Sequence, residues 1–420
     1  MDIRITPSKL NGNVDIIPSK SDVHRLLICA ALSNAETTVC FKGKPSRDVE
    51  ATAECLAKTQ CVVLCNSDGI TLNQRTMQSN YVLNCAESGS TARFLLPVAA
   101  ALGKPFTMTG SGRLPERPMA ILTELLRSHG CTVSSDRLPL SVSGQLTHGI
   151  FRLLGNVSSQ YISGLLFALP LLSGDSELII EGALESAAYV DMTLSALVQF
   201  GVTVKKTESR YCVEGGQKYK SLGTVTAEGD WSNAAFWLAA GSAGDIVCQG
   251  LDKKSLQADK AIVSVLERMG AVVMQKDGKV SVSDVKADGL RAVDIDISAM
   301  PDLAPVIAVL MSVAKGTSSL FNAARLRLKE SDRLSSVYAM INALGGQAEE
   351  GSDFLKIKGK QHLSGGTVDS FNDHRIVMAA AVASVFCKRE IIIKNAEAVE
   401  KSYPDFFEVF KSLGGRADVI

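Results

Sequence analysis

Six stretches rich in Ala, Leu and Val recur along the 420-residue chain, each opened by a short polar cluster. The clusters centre on Ser21, Gly89, Ser159, Ser232, Asp302 and His374, so successive centres lie 68 to 73 residues apart. They open SKSDVHRLLICAAL, SGSTARFLLPVAAAL, SSQYISGLLFALPLL, WSNAAFWLAAGSA, PDLAPVIAVLMSVA and DHRIVMAAAVASVF. Each run predicts an apolar helix, and each polar cluster falls at the helix start, where the first backbone N–H groups lack an intrahelical partner. Such starts attract anions. If all six converge, they form an anion trap lined by Lys20, Arg25, Arg93, Arg375 and several hydroxyls.

A second pattern keeps the same period, which argues for a structural repeat. It reads helix, glycine, strand: LLRSHGCTV at Gly130, LVQFGVTV at Gly201, LERMGAVV at Gly270, INALGGQA at Gly345 and FKSLGGRA at Gly414. A copy without glycine, CLAKTQCVVL, lies near Gln60. Glycine after a helix predicts a left-handed C-cap. Each unit of about 70 residues is therefore expected to hold strands and two helices, one apolar with its polar start at the site and one amphipathic.

The chain is longer than one hydrophobic core usually supports, so two domains of three units each are expected. Pro18–Lys20 and the TAEGD segment at 226–230 are the places where a strand-like run meets a polar helix start with no surface helix between. Two such crossings predict a discontinuous first domain, 1–18 with 228–420, and an inserted second domain, 19–227. The 44 basic and 44 acidic residues balance, which leaves no global basic footprint for nucleic acid and no polybasic membrane patch. MDIRITPSKL lacks the apolar core of a signal peptide, and runs such as Ile376 to Phe386 are too short to span a bilayer. A cytoplasmic protein is expected. The ten cysteines include no CxxC pair, so buried thiols are expected before disulfides or zinc.

The candidate chemistry sits in the polar clusters. Lys20 and Ser21, followed by Arg25, suit a phosphate or carboxylate, although a capped helix with exposed charges is the commoner reading when they are taken alone. Glu87 to Arg93 (ESGSTAR) offers a glycine for close backbone approach, then hydroxyls and an arginine. Arg113 and Arg117 lie in a proline-bounded loop, SGRLPERP. Ser158, Ser159 and Gln160 offer uncharged donors, modestly beyond an ordinary N-cap. In the C-terminal half, Asp302 singly reads as a cap, Asp332 as a partner for Arg333, and His374 as a structural cap or a catalytic group.

In order and spacing, PSKSDVHR, ESGSTAR, RLPERP, SSQ, ESAAYVD, PD, LKESDR, NDHR and EKSYPDFFE resemble the EPSP synthase (3-phosphoshikimate 1-carboxyvinyltransferase) family, from Lys20 to Lys401. The resemblance implies an α/β fold of two domains, each of three βαβαββ units in an inside-out α/β barrel, with helix N-termini facing an interdomain cleft. It implies transfer of the enolpyruvyl group of phosphoenolpyruvate to the 5-hydroxyl of shikimate 3-phosphate, releasing phosphate, and it places phosphoenolpyruvate and the inhibitor glyphosate at Gly89. No metal or cofactor is implied, and a monomer without nucleic-acid or membrane partners is expected. By resemblance, Ser21, Arg25, Ser158, Ser159, Gln160, Ser186, Asp302 and Lys329 hold shikimate 3-phosphate. Lys20, Gly89, Arg117, Gln160, Arg333, Arg375 and Lys401 hold phosphoenolpyruvate. Asp302, Glu330 and Lys20 are the candidates for proton transfer.

Three positions depart from the family pattern: PSKS is one residue shorter than PGSKS, Glu87 stands where many members carry Asn, and Arg325 replaces an Asn. Two related activities are the alternatives. UDP-N-acetylglucosamine enolpyruvyl transferases use a loop cysteine as acid, which SGRLPERP lacks. RNA 3'-phosphate cyclases act on nucleic acid, which the zero net charge disfavours.

Overall fold

The computed structural model describes residues 1–74, 80–156, 158–283 and 289–420. Its strands form six separate four-stranded sheets among the described residues, and no sheet closes into a barrel.

One repeat shows the plan. Strand Tyr81–Asn84 leads into helix Gly89–Ala101, strand Phe106–Thr109, helix Ala120–Ser128 and the pair Cys131–Val133 and Leu140–Gly144, a βαβαββ order. The first two strands run parallel, Tyr81 opposite Phe106, and the last two add antiparallel with the fourth strand beside the second. A parallel neighbour requires a crossover, and the apolar helix supplies it. The same order recurs in the repeats beginning at Ile150 and Asp294.

The other three repeats complete their sheets with strands from remote parts of the chain. Strand Gly223–Thr226 pairs parallel with Thr37–Cys40. Strand Asn11–Asp15 pairs parallel with Asp245–Gln249. The N-terminal strand Ile3–Thr6 lies antiparallel between Ile391–Lys394 and Arg416–Val419, the place that a fourth strand takes elsewhere. The first two exchanged strands, Gly223–Thr226 and Asn11–Asp15, directly precede the crossings near residues 228 and 19. The chain forms two compact units, Met1–Ser19 with Glu228–Ile420 and Lys20–Ala227, here called lobes.

Each lobe has its own core, and the apolar helices are inside it. Every residue of His374–Ala383 and all but Val313 of Ala304–Val313 are buried. Their sheets alternate instead, one face inward, as in Leu355–Lys358. The second helix of each repeat ends as the glycine pattern predicts. Gly130, Gly201, Gly270, Gly345 and Gly414 all adopt positive φ, between 77° and 95°. The copy without glycine closes on Ala57 in right-handed geometry.

One helix contact depends on a missing side chain. Pro97, inside its helix, has no N–H for the Arg93 carbonyl, and Gly164 of the neighbouring helix approaches that oxygen. A Cβ on Gly164 would stand 2.3 Å from the Arg93 oxygen and 3.0 Å from Pro97 Cγ. Alanine raises helix propensity by about 1 kcal/mol over glycine, but forcing the helices apart costs about 1–3 kcal/mol or more. Gly164→Ala is therefore expected to lower the thermal unfolding temperature. A rise would show that the helix pair adjusts without strain.

Candidate active site

In the lobe formed by 1–19 and 228–420, two helix starts and the loop before a third helix meet around one carboxylate. Asp302 lies in the short turn Pro301–Leu303 ahead of helix Ala304–Val313, and its side chain caps nothing. Its Oδ1 accepts from Arg333 Nη1 at 2.7 Å and lies 3.4 Å from Lys329 Nζ, and its Oδ2 accepts from Arg375 Nη2 at 3.0 Å. Arg375 Nη1 also reaches the Asp302 carbonyl at 3.3 Å. Burial pushes the Asp302 carboxyl up, but Arg375, Lys329 and Arg333 outweigh burial and hold it well below the usual range. Its contribution to stability is thus complete at neutral pH and is lost only in strong acid, below the ordinary carboxylate range.

Arg333 is the centre of this cluster, with none of its side chain exposed. Besides Asp302, it donates from Nη2 to Glu330 Oε2 at 2.5 Å and from Nε to Asp373 Oδ2 at 2.9 Å. Burial alone would lower its pKa, but Asp373, Glu330 and Asp302 raise it, so it stays charged. Asp373 is itself fully buried and caps helix His374–Ala383 by accepting from the Arg375 N–H at 3.0 Å. Ser331 Oγ donates to the same carboxylate at 3.1 Å. Lys401 Nζ donates to the Asn372 carbonyl at 2.7 Å, one residue before the cap. Burial lowers the Lys329 pKa, partly opposed by the Asp302 charge.

Three sequence readings change here. Asp302 is not a cap, because two arginines and a lysine claim its carboxylate. Asp332 does not partner Arg333; it caps its own helix through the Ser335 N–H at 3.2 Å and accepts from Arg327 Nη1 at 3.0 Å. His374 is not the cap, since Asp373 takes that place, and the imidazole is buried.

The lobe 20–227 holds a second cluster. Lys20 Nζ pairs with Asp48 Oδ2 at 2.8 Å. A buried hydroxyl chain links this helix start to the Gly89 turn. His24 Nδ1 meets Thr52 Oγ1 at 2.7 Å, Thr52 meets Thr91 at 2.6 Å, and Thr91 Oγ1 donates to Ser88 at 2.7 Å. Burial, together with Lys20 and Arg25, holds His24 well below its usual pKa, so it is neutral. Arg25 turns inward, donating to Thr193 Oγ1 at 2.9 Å, to the Tyr189 carbonyl at 2.7 Å and to the Ser21 carbonyl, with its guanidinium 5.2 Å from the Phe94 ring centroid. Burial lowers its pKa to about 10, which leaves it charged at neutral pH.

Gln160 joins two further helix starts. Its Oε1 accepts from Arg93 Nη1 at 2.7 Å, its Nε2 donates to Ser90 Oγ at 2.9 Å, and its N–H donates to the Ser158 hydroxyl at 3.3 Å. Ser159 is buried beside it. Ser186 is buried in left-handed geometry, φ 55°, just before helix Ala187–Gln199. Gly89 opens its helix with Arg117 close by, and an added Cβ would lie 2.6 Å from Arg117 Nη1. Gly89 is not among the residues with positive φ, so no turn geometry requires glycine there.

The structure thus gathers Asp302, Lys329, Glu330, Arg333 and Arg375 in one lobe, with Lys401 held on the adjoining Asn372. In the other lobe Gln160 ties Ser158 to the Gly89 helix, near Arg117, while Lys20 reaches that helix through Asp48 and the threonine chain. Sequence reading missed Asp48, the Thr52–Thr91 link and Asp373 as the shared anchor of Arg333. An acidic residue in the first turn of a helix carries no mark of the lysine that it will meet. Among the described residues, no helix is long and apolar enough to cross a membrane, and no group of three or more His, Cys, Asp or Glu could hold a metal ion.

The architecture is shared with solved enolpyruvyl transferases. It superposes on EPSP synthase from Acinetobacter baumannii with a TM-score of 0.82 and 22% identity over all of both chains. With the enolpyruvyl transferase NikO from Streptomyces tendae the TM-score is 0.80 at 15% identity, covering 99% of this chain and 98% of that one. The fold is therefore that of the two-lobed, inside-out α/β transferases. Residues 5–410 match the family EPSP synthase (3-phosphoshikimate 1-carboxyvinyltransferase), and the chain belongs to that family of enzymes. Proteins named 3-phosphoshikimate 1-carboxyvinyltransferase are 44% identical in Clostridium kluyveri, over 99% of this chain and 98% of the relative, and 39% identical in Brachyspira hyodysenteriae, over 99% of each.

Removing one partner of a buried ion pair leaves the other charge uncompensated, at a cost of about 3–5 kcal/mol. Asp373→Ala removes the cap and the deepest partner of Arg333 together, so a loss of at least that size is expected in denaturant unfolding. A loss under about 1 kcal/mol would show that Asp302 and Glu330 hold Arg333 by themselves.

Proposed function

We propose that the two clusters carry out enolpyruvyl transfer from phosphoenolpyruvate to the 5-hydroxyl of shikimate 3-phosphate by addition and elimination, releasing phosphate. Family membership supports the reaction. The observation that carries the residue assignment is the convergence of Lys329, Arg333 and Arg375 on Asp302. Two substrates bearing phosphates and carboxylates need several cations, and arginine forks match planar oxyanions.

In this reading Ser21, Arg25, Ser158, Ser159, Gln160, Ser186 and Lys329 hold shikimate 3-phosphate, and Lys20, Gly89, Arg117, Gln160, Arg333, Arg375 and Lys401 hold phosphoenolpyruvate. Asp302 accepts the proton of the attacking hydroxyl, while Glu330, with Lys20, exchanges a proton at the enolpyruvyl methylene. Its present ion pairs make Asp302 a weak base. Substrate oxyanions that engage Arg333, Arg375 and Lys329 draw those cations off its carboxylate and raise its proton affinity, so the base becomes competent as the site fills. The lobes act as the two domains, 1–18 with 228–420 and 19–227. The protein works as a cytoplasmic monomer without nucleic-acid or membrane partners, a reading supported by its balanced charge.

Phosphate release from phosphoenolpyruvate is expected with shikimate 3-phosphate as acceptor and not with UDP-N-acetylglucosamine; the reverse preference would overturn the assignment. Asp302→Asn should lower turnover by about a hundredfold or more while shikimate 3-phosphate still binds. Glu330→Gln should do the same and also slow solvent-proton exchange into the product methylene. Lost binding with near-normal turnover would make Asp302 a structural residue.

The Gly89 contact gives a separate test. A methyl group there pushes on the flexible end of Arg117 and not on backbone, so the fold should tolerate it. Gly89→Ala is expected to leave the unfolding temperature near wild type and raise the Michaelis constant for phosphoenolpyruvate. Glyphosate should weaken more strongly, and shikimate 3-phosphate binding should hardly change. Unchanged ligand constants would remove Arg117 and Gly89 from the phosphoenolpyruvate site.

A further inference from the structure

Of the six polar helix starts, the one at Ser232 carries no cation and has no role in the reaction described above. Helix Trp231–Gly241 is capped by Asp230, which accepts from the Asn233 N–H at 2.7 Å, so the Asn233 side chain is not needed for a cap. It turns instead to the chain that follows Lys401. Asn233 Nδ2 donates to Ser402 Oγ at 3.3 Å, and both residues are buried. Four residues on, and therefore on the same helix face, Trp237 packs against the same stretch. Its ring lies 4.8 Å from that of Phe406 in a stack and 6.1 Å from that of Tyr403, edge to face.

Lys401 is the last residue of the turn Ala396–Lys401. The N–H groups of Ser402 and Tyr403 both donate to the Val399 carbonyl, at 3.1 and 2.8 Å, so the turn and the two residues after it form one unit. The other end of the turn is tied by Ser370 Oγ, which donates to the Asn395 carbonyl at 3.0 Å and accepts from the Asn372 N–H at 3.1 Å. Asn372 is also the residue whose carbonyl accepts from Lys401 Nζ. Ser370 thus fixes the acceptor of the lysine, while Asn233 fixes the backbone that carries the lysine. We propose that Asn233 and Ser402 are positioning residues for Lys401, and that the helix start without a cation serves the reaction by holding the Lys401 ammonium at the phosphoenolpyruvate site. The role rests on the placement of phosphoenolpyruvate at Lys401 given above.

Stability alone does not account for this contact. Asn233 Oδ1 is buried without a hydrogen-bond partner among the described residues, so the amide is only half satisfied. Replacing both members of such a buried pair by apolar groups of similar shape is nearly neutral or stabilising, because no polar atom then loses water without a partner. A polar pair kept at that cost next to a substrate-binding lysine points to geometry. A hydrogen bond fixes Ser402 in direction as well as distance, whereas apolar contact is non-directional.

The test combines Asn233→Leu with Ser402→Ala, which removes both polar partners and keeps apolar packing. Lys401 is 7% exposed, so acetic anhydride should acetylate it slowly in wild type, as read by peptide mass spectrometry. In the double variant, Lys401 acetylation and the Michaelis constant for phosphoenolpyruvate should each rise about three- to tenfold, the worth of one hydrogen bond. The turnover number and shikimate 3-phosphate affinity should hardly change, and the unfolding temperature should stay near wild type. A lower unfolding temperature with acetylation and Michaelis constant unchanged would make the pair structural and overturn the proposal. If the double variant does not fold, Ser402→Ala is compared with Ser402→Thr, which keeps the hydroxyl. The threonine variant should match wild type in both readouts, and equal values in the two variants would overturn the proposal. In a Lys401→Met background the double substitution should add nothing to the Michaelis constant; a further rise would show that the pair does not act through Lys401. Failure of the function reading would show differently, as absent phosphate release in wild type with the acetylation difference intact.

Discussion

Arg333 has no solvent to turn to, and the site is arranged around that constraint. A guanidinium removed from water must find anions in a fork-shaped geometry, and here Asp302, Glu330 and Asp373 supply them. Two of these carboxylates have a second task. Asp373 caps the helix that carries Arg375, Asp302 also holds Arg375 and Lys329, and Glu330 remains partly exposed beside them. The cluster is thus balanced internally, with the proposed base and the proposed anion-binding groups neutralising one another. Substrate anions would exchange for protein carboxylates on the same cations, which couples binding to the basicity of Asp302 without any group having to move far.

The other lobe uses neutral links where this one uses charges. Lys20 pairs with Asp48, and the helix starts are tied by threonine, serine and glutamine side chains. Burying a hydroxyl chain is inexpensive when every member is hydrogen-bonded, whereas burying an unpaired cation is not. Arg25 illustrates the rule, since its buried guanidinium donates to two carbonyls and a threonine hydroxyl and lies against Phe94.

Much was legible in the amino-acid order because it follows from local rules. The six apolar runs are helices with starts at the predicted polar clusters, since apolar composition and unpaired N–H donors are properties of a single segment. The glycine after the second helix of five repeats reports a backbone conformation that only the local chain decides. Repetition of both signals gave the α/β fold class, and the ordered motifs gave the family.

Pairing of remote groups was not legible. Asp302 and Asp332 both stand near helix starts in the sequence, yet one is claimed by Arg333, Arg375 and Lys329 and the other by Arg327. Asp48 and Asp259 look like ordinary surface acids until folding buries one against Ser232 and sets the other on Lys20. Three sheets are completed by strands from distant parts of the chain, because a sheet edge accepts any strand of suitable register whatever its position in the sequence. Local sequence therefore determined the elements and the repeat, because those depend on neighbours along the chain. Only the tertiary structure decided which charges meet, because Coulomb and hydrogen-bond partners are chosen by distance in space.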